Sequence, residues 1–275
     1  MNGRSCCIRL ICEIGDATAS VFRDALKLIS FTGETISELF HALRNPMRIR
    51  WKETLYYMNM CGANALPISS LICLLMGLIL GYQSAVQMHK YGADSFLPAL
   101  VGCSIVRELG PLMIAVIATG RAGSAFAAEI ATMKATEEIN AMQTMGFSPW
   151  RFLVIPKLLA MICMMPLLTF FGDIFGIAGG MIVGTFELDI PVHTYYTQTV
   201  YWVPPRFFVE SLTKSVVFAI IVTGICCLRG FEAGEDSLGI GRATTSSVVT
   251  SIIVIIVADT LMARMFNMIF YGSAV

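Results

Sequence analysis

Five apolar stretches, each about as long as a bilayer core is thick, limit this chain to one class of structure. They cover roughly residues 64–82, 97–128, 152–184, 207–228 and 245–264. A helix needs about 20 residues to cross the hydrocarbon core, where every backbone polar group has to be paired. Only 14% of the 275 residues are charged, well below the roughly 25% of a soluble domain. The sequence therefore predicts an all-α membrane protein with five transmembrane helices.

Residues 1–52 differ in character from the chain that follows. Between residues 17 and 45 apolar residues recur at spacings of three and four, with charged residues between them. This spacing predicts an amphipathic helix, with a break near Gly33. The segment is too polar to span a bilayer and suits a helix lying in the membrane interface. A surface helix on a small soluble domain is the alternative, but residues 53–275 offer no such domain.

Lysine and arginine are unevenly distributed between the loops. Eight lie in the N-terminal segment through Lys52, and the loops after the second and fourth stretches hold two each. The loops on the opposite side hold Lys90 and Arg206. By the positive-inside rule the N-terminus lies in the cytoplasm, and five crossings place the C-terminus on the other side.

Four charged side chains inside the second and fourth apolar stretches are the strongest candidates for a functional site. Each costs at least ~2.5–3.5 kcal/mol in hydrocarbon, so each needs a partner, water or a function. They are Arg107 and Glu108 in the second stretch, and Glu210 and Lys214, an i,i+4 pair with the acid first, in the fourth. Salt bridges that hold helices together, or a polar pocket for an anionic headgroup, would both account for them. Asp173 and Asp259 are weaker candidates, because the sequence places no obvious cation beside either.

Glycines recur every four residues in the third stretch, at Gly172, Gly176, Gly180 and Gly184. Small residues on one face of a helix let a second backbone approach closely. The pattern predicts helix packing, either static or at an interface that slides.

The segment Thr132–Met145 predicts a short polar helix between the second and third stretches. Ile139 and Met142 share one face, Glu137 and Glu138 lie away from it, and Gly146 and Pro149 end the helix. A helix this short is not stable alone in water, so something should cover it. A partner protein is the favoured cover, and the bilayer surface is the alternative.

Motifs for catalysis and for nucleotide or metal binding are absent from the sequence. It contains no G-x-x-x-x-G-K-[ST], no G-x-S-x-G and no H-E-x-x-H, and its cysteines and histidines lack metal-ligand spacing. No basic cluster has the density of a nucleic-acid footprint. We therefore predict no catalytic site, no metal site and no cofactor in this chain, so that any ATP hydrolysis takes place on another polypeptide.

Several motifs in order resemble the MlaE/YrbE permease family over roughly residues 55–270. They are Arg107-Glu108-Leu109-Gly110-Pro111, Gly120-Arg121-Ala122-Gly123-Ser124-Ala125, Ala128-Glu129-Ile130, Met133-Lys134-Ala135-Thr136-Glu137, Lys214-Ser215-Val216-Val217-Phe218 and Gly239-Ile240-Gly241-Arg242-Ala243-Thr244-Thr245. On this resemblance residues 53–275 form the permease domain.

The resemblance implies the membrane subunit of an ABC-type transporter in the bacterial inner membrane. Such a subunit forms a homodimer and binds cytoplasmic ATPase subunits, which carry the ATP and Mg²⁺. It moves phospholipid between the inner membrane and a periplasmic MCE protein, contributing to outer-membrane lipid asymmetry. The C-terminus would then be periplasmic.

The resemblance also implies roles for the candidate residues. Residues 132–145 resemble the coupling helix that docks on the ATPase, with Glu137, Glu138, Ile139 and Met142 at the contact. Arg107, Glu108 and Lys214 would lie beside the lipid pocket, and Glu210 joins them by its spacing from Lys214. A non-transporting anchor for the MCE assembly is one alternative. A lipid-modifying enzyme using Glu108, Asp173 or Asp259 as acid or base is another, although no nucleophile–base arrangement is present. Neither the direction of transport nor the exact lipid is predicted.

Overall fold

The structure, a computed structural model, describes Gly33, residues 50–234 and residues 236–272. Every regular element in those ranges is a helix, as predicted, and the helices between residues 50 and 272 belong to one compact unit, residues 49–275. The interfacial helix predicted within residues 1–52 falls outside the described residues, apart from Gly33 and residues 50–52. In chain order the helices are α1 (Trp51–Lys90), α2 (Asp94–Ala135), α3 (Glu138–Thr144), α4 (Trp150–Glu187), α5 (Val192–Trp202), α6 (Pro205–Phe231) and α7 (Ser237–Tyr271).

Five of the helices, α1, α2, α4, α6 and α7, are long and apolar enough to cross a membrane. This confirms the five predicted spans, each of which lies inside one observed helix. The helices extend beyond the predicted limits because helical hydrogen bonding continues through the polar residues that flank the apolar run. α1, for example, begins at Trp51, although the apolar run was placed from residue 64.

The long helices are not uniform α-helix. Two local features matter for the site described below: α2 contains π-helical turns, and α6 begins with Pro205 in its first turn, where a missing N–H costs nothing. Within residues 50–234 and 236–272, the π-helical turns are Asn59–Ala63 in α1, Ile105–Leu109 and Thr119–Gly123 in α2, and Trp150–Val154 in α4.

α4 and α6 form the centre of the helix assembly. About 61% of the apolar window of each is buried within the chain, compared with 22% for α1 and α7. α1 presents an outward stripe that includes Ile68, Leu71, Leu75 and Ile79, spaced three or four residues apart. In a membrane such a stripe meets lipid or another helix at no hydrophobic cost.

The segment predicted as one helix over residues 132–145 is in fact divided. Residues 132–135 complete α2, Glu137 takes a left-handed conformation with φ of 60°, and α3 begins at Glu138. The Thr136 hydroxyl donates to the carbonyl of Thr132 at 3.1 Å, which satisfies an acceptor at the end of α2. The prediction of a single helix was wrong because periodicity alone does not register this local break. Gly146, with φ of 80°, follows α3 as predicted.

Candidate functional site

Lys214 is the centre of a group of charged side chains that joins three membrane helices. Its side chain, on α6, is fully buried. Nζ donates to Glu108 Oε2 at 2.6 Å and to the Arg107 carbonyl at 2.9 Å, both on α2. It also lies 3.0 Å from Asp259 Oδ1 on α7, an ionic contact without hydrogen-bond geometry.

Arg107 extends this group. Its Nε donates to Glu210 Oε2 at 3.4 Å and its Nη2 donates to Asn267 Oδ1 at 2.7 Å. The guanidinium carbon lies 5.0 Å from the centre of the Phe207 ring, within the range of a cation–π contact. We call the six residues Arg107, Glu108, Glu210, Lys214, Asp259 and Asn267 the Lys214 network.

The pairing within this network differs from the pairing that the sequence favours. The i,i+4 spacing pointed to Glu210 as the partner of Lys214, but Lys214 binds Glu108 and Asp259, and Glu210 binds Arg107. Asp259, for which the sequence offered no cation, therefore has one. The contacts between helices prevail because they surround the buried ammonium with several acceptors, as a single pair along α6 cannot.

The network lies deep in the membrane helices. Lys214 comes nine residues after Pro205, the start of α6, or about 14 Å along a helix that rises 1.5 Å per residue. The helix has 27 residues, about 40 Å at this rise, so Lys214 lies about a third of the way along it and not at its end. Removing one partner of a buried ion pair typically costs 3–5 kcal/mol, so the network stabilises the arrangement of α2, α6 and α7.

The backbone of α2 contributes to the same site. Arg107 and Glu108 lie in the π-helical turn Ile105–Leu109, and Pro111 follows two residues later. Pro111 has no N–H to donate to the carbonyl of Arg107, four residues earlier. Lys214 Nζ donates to that carbonyl instead. The Arg-Glu-Leu-Gly-Pro motif thus leaves a backbone acceptor that a side chain on α6 satisfies.

The charges of the network differ in how far they can be reached from outside the chain. The Glu108 side chain is 39% exposed and that of Arg107 21%, whereas Lys214 is fully buried and Glu210 is 1% exposed. A molecule approaching from outside therefore meets the Glu108 carboxylate and the Arg107 guanidinium before it meets the Lys214 ammonium.

An apolar groove of about 540 Å³ lies between α4, α5 and the start of α6. Its walls include Ile177, Val203 and Phe208. The same residues pack with Phe207, whose ring makes the cation–π contact with the Arg107 guanidinium. The groove is therefore continuous with the packing around the polar network, and its size falls in the usual range of ligand pockets, about 300–1,000 Å³.

Asp173 is buried on α4, apart from the charged network. Its Oδ2 accepts a hydrogen bond of 2.9 Å from Ser211, and its Oδ1 has no partner. A side chain at Gly110 would overlap the Asp173 carboxylate. The glycine before Pro111 is therefore required by a close approach between α2 and α4.

The four glycines that recur every four residues in α4 all lie at contacts with other helices of the same chain. A Cβ at Gly176 would come 2.8 Å from Ile105, and one at Gly184 would come 2.9 Å from the Tyr195 ring. No side chain fits at Gly77 on α1, because its Cβ would overlap the backbone of Gly176. Gly172 and Gly180 meet Cys73 and Val101 in the same way.

A second polar cluster was missed by the sequence reasoning. Lys157 on α4 is fully buried, and its Nζ donates to Tyr57 Oη at 3.0 Å and to Glu129 Oε1 at 3.1 Å. Tyr57 Oη in turn donates to Glu129 at 2.6 Å. We call these three residues the Lys157 cluster. A lysine inside the third apolar stretch was the available signal, and it carries the same meaning as Lys214 in the fourth.

The residues of the predicted docking helix separate into two groups. Ile139 and Met142 are buried within the chain, while Glu137 and Glu138 are exposed. Met145 and Phe147, just after α3, are also exposed, at 65% and 54%. The buried pair therefore anchors α3 to its own chain, and the acids and the two later apolar residues form its outer surface.

Comparison with known proteins adds the family. The family described as Permease MlaE matches residues 54–265. A probable ABC transporter permease protein of Rickettsia felis is 37% identical over 205 residues, covering 74% of this chain and 79% of the relative. The intermembrane phospholipid transport system permease protein MlaE of Haemophilus influenzae is 34% identical over 235 residues, covering 83% and 89%. A probable ABC transporter permease protein of Synechocystis is 32% identical over 225 residues, covering 77% and 81%.

The match covers all five spans, including the turn that carries Arg107 and Glu108 and the helix that carries Lys214. The chain is thus a multi-pass membrane protein that belongs to the MlaE permease family.

Proposed function

We propose that this chain is the permease subunit of an ABC-type transporter that moves phospholipid between the bacterial inner membrane and a periplasmic MCE protein. Transport of this kind contributes to the lipid asymmetry of the outer membrane. The Haemophilus relative is named for intermembrane phospholipid transport. The observation that carries the proposal is the Lys214 network, a set of ionic groups within membrane-spanning helices and beside an apolar groove.

A phospholipid has both a charged headgroup and long apolar chains, and the site offers surfaces for both. Arg107 is partly exposed and can donate to a phosphate oxygen, because a guanidinium presents several N–H groups in a fixed plane. The groove lined by Ile177, Val203 and Phe208 is apolar and can hold an acyl chain. Lys214, being fully buried, acts in this proposal by fixing Glu108 and Asp259 rather than by touching the lipid.

The chain needs a separate source of energy. We assign this to a cytoplasmic ATPase subunit that binds ATP and Mg²⁺ and contacts the outer surface of α3 and the residues after it. Glu137 and Glu138 supply charge there, and Met145 and Phe147 supply apolar area. The abundance of lysine and arginine on this side of the membrane supports its assignment to the cytoplasm, with the C-terminus in the periplasm.

The proposed assembly is a homodimer. α7 leaves a long row of apolar residues uncovered, among them Val249, Ile253, Val257 and Leu261. The same helix contributes Asp259 and Asn267 to the Lys214 network. Pairing of two copies along α7 would therefore bring two networks to one interface.

Lipid transfer by the reconstituted complex tests the proposal. The chain is purified with the ATPase encoded beside it and placed in vesicles with a fluorescent phospholipid, and ATP-dependent transfer to the MCE protein is followed. Arg107→Gln should reduce transfer roughly tenfold or more, because a charge-assisted hydrogen bond contributes about 1.5–3 kcal/mol. Arg107→Lys, which keeps the charge, should lose less. Lys90→Gln removes an exposed cation far from the network and serves as the control.

Each outcome separates the proposal from its alternatives. ATP-dependent transfer that is unchanged in Arg107→Gln, with unchanged thermal stability, would contradict a role for the network in lipid handling. Assembly with the MCE protein but no lipid transfer would instead indicate an anchor. A chemically altered lipid, detected by mass spectrometry, would indicate an enzyme.

Separately, Glu137→Lys with Glu138→Lys should reduce co-purification of the ATPase, and full retention of the ATPase would exclude that contact.

A further inference from the structure

The ionic groups of the Lys214 network do not balance. The network contains two cationic side chains, Arg107 and Lys214, and three carboxylates, Glu108, Glu210 and Asp259. With all five ionised, its formal charge is one negative unit. An anionic lipid headgroup placed against the Glu108 carboxylate would therefore meet like charge, in surroundings where charge is poorly screened.

Hydrogen bonding shows the same imbalance. Glu210 Oε1 is buried and has no hydrogen-bond partner, and Asp259 Oδ1 contacts Lys214 without hydrogen-bond geometry. A buried charged oxygen left without a donor is costly. Both oxygens are enclosed by the chain, so the interior of the network holds more hydrogen-bond acceptors than donors.

Accessibility identifies where a donor could enter. Glu108 is the most exposed ionic group of the network, at 39%, and the buried Lys214 ammonium holds it from behind with a hydrogen bond of 2.6 Å. Its neighbour Arg107 is 21% exposed. A carboxylate and a guanidinium thus stand side by side on α2, both within reach of a molecule outside the chain, and both held in place by other residues.

We propose that the Lys214 network selects phospholipids whose headgroup carries a primary amine, with Glu108 binding the ammonium and Arg107 the phosphate. Such a headgroup pairs an ammonium with a phosphate, so its two charges match the exposed Glu108 carboxylate and the partly exposed Arg107 guanidinium. Phosphatidylethanolamine has this chemistry. Phosphatidylglycerol has no cation, and phosphatidylcholine has a cation that cannot donate a hydrogen bond. This selectivity depends on the proposed lipid-handling function and narrows its substrate class.

A competition between headgroups tests the selectivity. The purified complex is placed in vesicles containing equal amounts of phosphatidylethanolamine, phosphatidylglycerol and phosphatidylcholine with identical acyl chains, and the bound lipids are quantified by native mass spectrometry. For the unaltered chain we expect phosphatidylethanolamine to exceed phosphatidylglycerol about tenfold, the factor that corresponds to about 1.4 kcal/mol. Phosphatidylcholine should fall between them.

Substitutions at Glu108 locate the source of the preference. Glu108→Gln should bring the ratio to within about twofold of unity, a difference of less than about 0.5 kcal/mol, while Glu108→Asp should keep a preference for the amine. Asp189→Asn is the matched control, since it removes an exposed carboxylate from the turn before α5 at a positive φ that asparagine tolerates. Melting temperatures identify any variant that fails to fold. The comparison of lipids on the unaltered chain does not depend on any variant.

Equal or stronger binding of phosphatidylglycerol by the unaltered chain would overturn the selectivity, and so would an amine preference that Glu108→Gln leaves intact. ATP-dependent transfer without headgroup preference would refute the selectivity alone. No lipid bound and no transfer with any of the three lipids would refute the proposed function itself.

Discussion

The Lys157 cluster predicts that the two members of one ion pair contribute unequally to stability. Lys157 is fully buried, whereas the Glu129 side chain is 38% exposed. Glu129→Gln leaves the ammonium of Lys157 without an anion in apolar surroundings. Lys157→Met leaves a carboxylate that still accepts a 2.6 Å hydrogen bond from Tyr57 and that water can still reach. Removing the exposed acid should therefore cost more than removing the buried base.

The magnitudes follow from these exposures. Breaking a buried pair so that a charge remains uncompensated costs about 3–5 kcal/mol, and we expect a loss in this range for Glu129→Gln. Lys157→Met loses the hydrogen bonds of one cation, but its former partner keeps part of its hydration, so we expect about 1–2 kcal/mol. The double variant removes both charges and should be more stable than Glu129→Gln alone.

Reversible unfolding in mixed micelles, at increasing fractions of sodium dodecyl sulfate, measures these differences. The three tryptophans of the chain provide the fluorescence signal, and the four proteins form a double-mutant cycle that isolates the pair. An equal or larger loss for Lys157→Met would refute the reasoning, because it would mean that exposure of the acid does not reduce its dependence on the lysine.

Two further predictions concern packing and assembly. Gly110→Ala should lower the free energy of unfolding by about 1–3 kcal/mol, the usual cost of overpacking, because the added carbon overlaps Asp173. Thermal melting in detergent measures this loss. An unchanged melting temperature would show that α2 and α4 separate freely. Ile253→Cys, on the uncovered row of α7, should form a disulfide between two copies when membranes are oxidised, whereas Ile79→Cys on α1 should not. Cross-linking through Ile79→Cys alone would exclude α7 as the dimer interface.

The five spans could be predicted because a bilayer imposes a length and a composition that a sequence displays directly. Hydropathy identifies the part of a helix that lies in the hydrocarbon core, but not the polar helical turns that extend it at either end. The start of α1 at Trp51 was therefore not predicted. The interruption at Glu137 was also missed, because a single left-handed residue changes the path of the chain without changing its apolar pattern.

Four charged residues of the Lys214 network could be identified from the sequence, but Asn267 and the pairing within the network could not. Charge inside an apolar run identified Arg107, Glu108, Glu210 and Lys214. Their partners depend on which helices are neighbours, and the contact between Lys214 and Asp259 joins residues that are 45 positions apart. Sequence spacing describes only neighbours along one helix, which is why it suggested Glu210 as the ion-pair partner of Lys214. The same limitation left Lys157 unnoticed, since its partners lie on α1 and α2.

The hydrogen bond from Lys214 to the carbonyl of Arg107 has a mechanical consequence. Pro111 leaves α2 without its own donor at that point, so α2 is most easily bent there. A side chain of α6 closes the gap, and any bend of α2 that turns this carbonyl away has to break a contact with α6. Bending of α2 at this point and movement of α6 are therefore coupled through the hydrogen bond of Lys214.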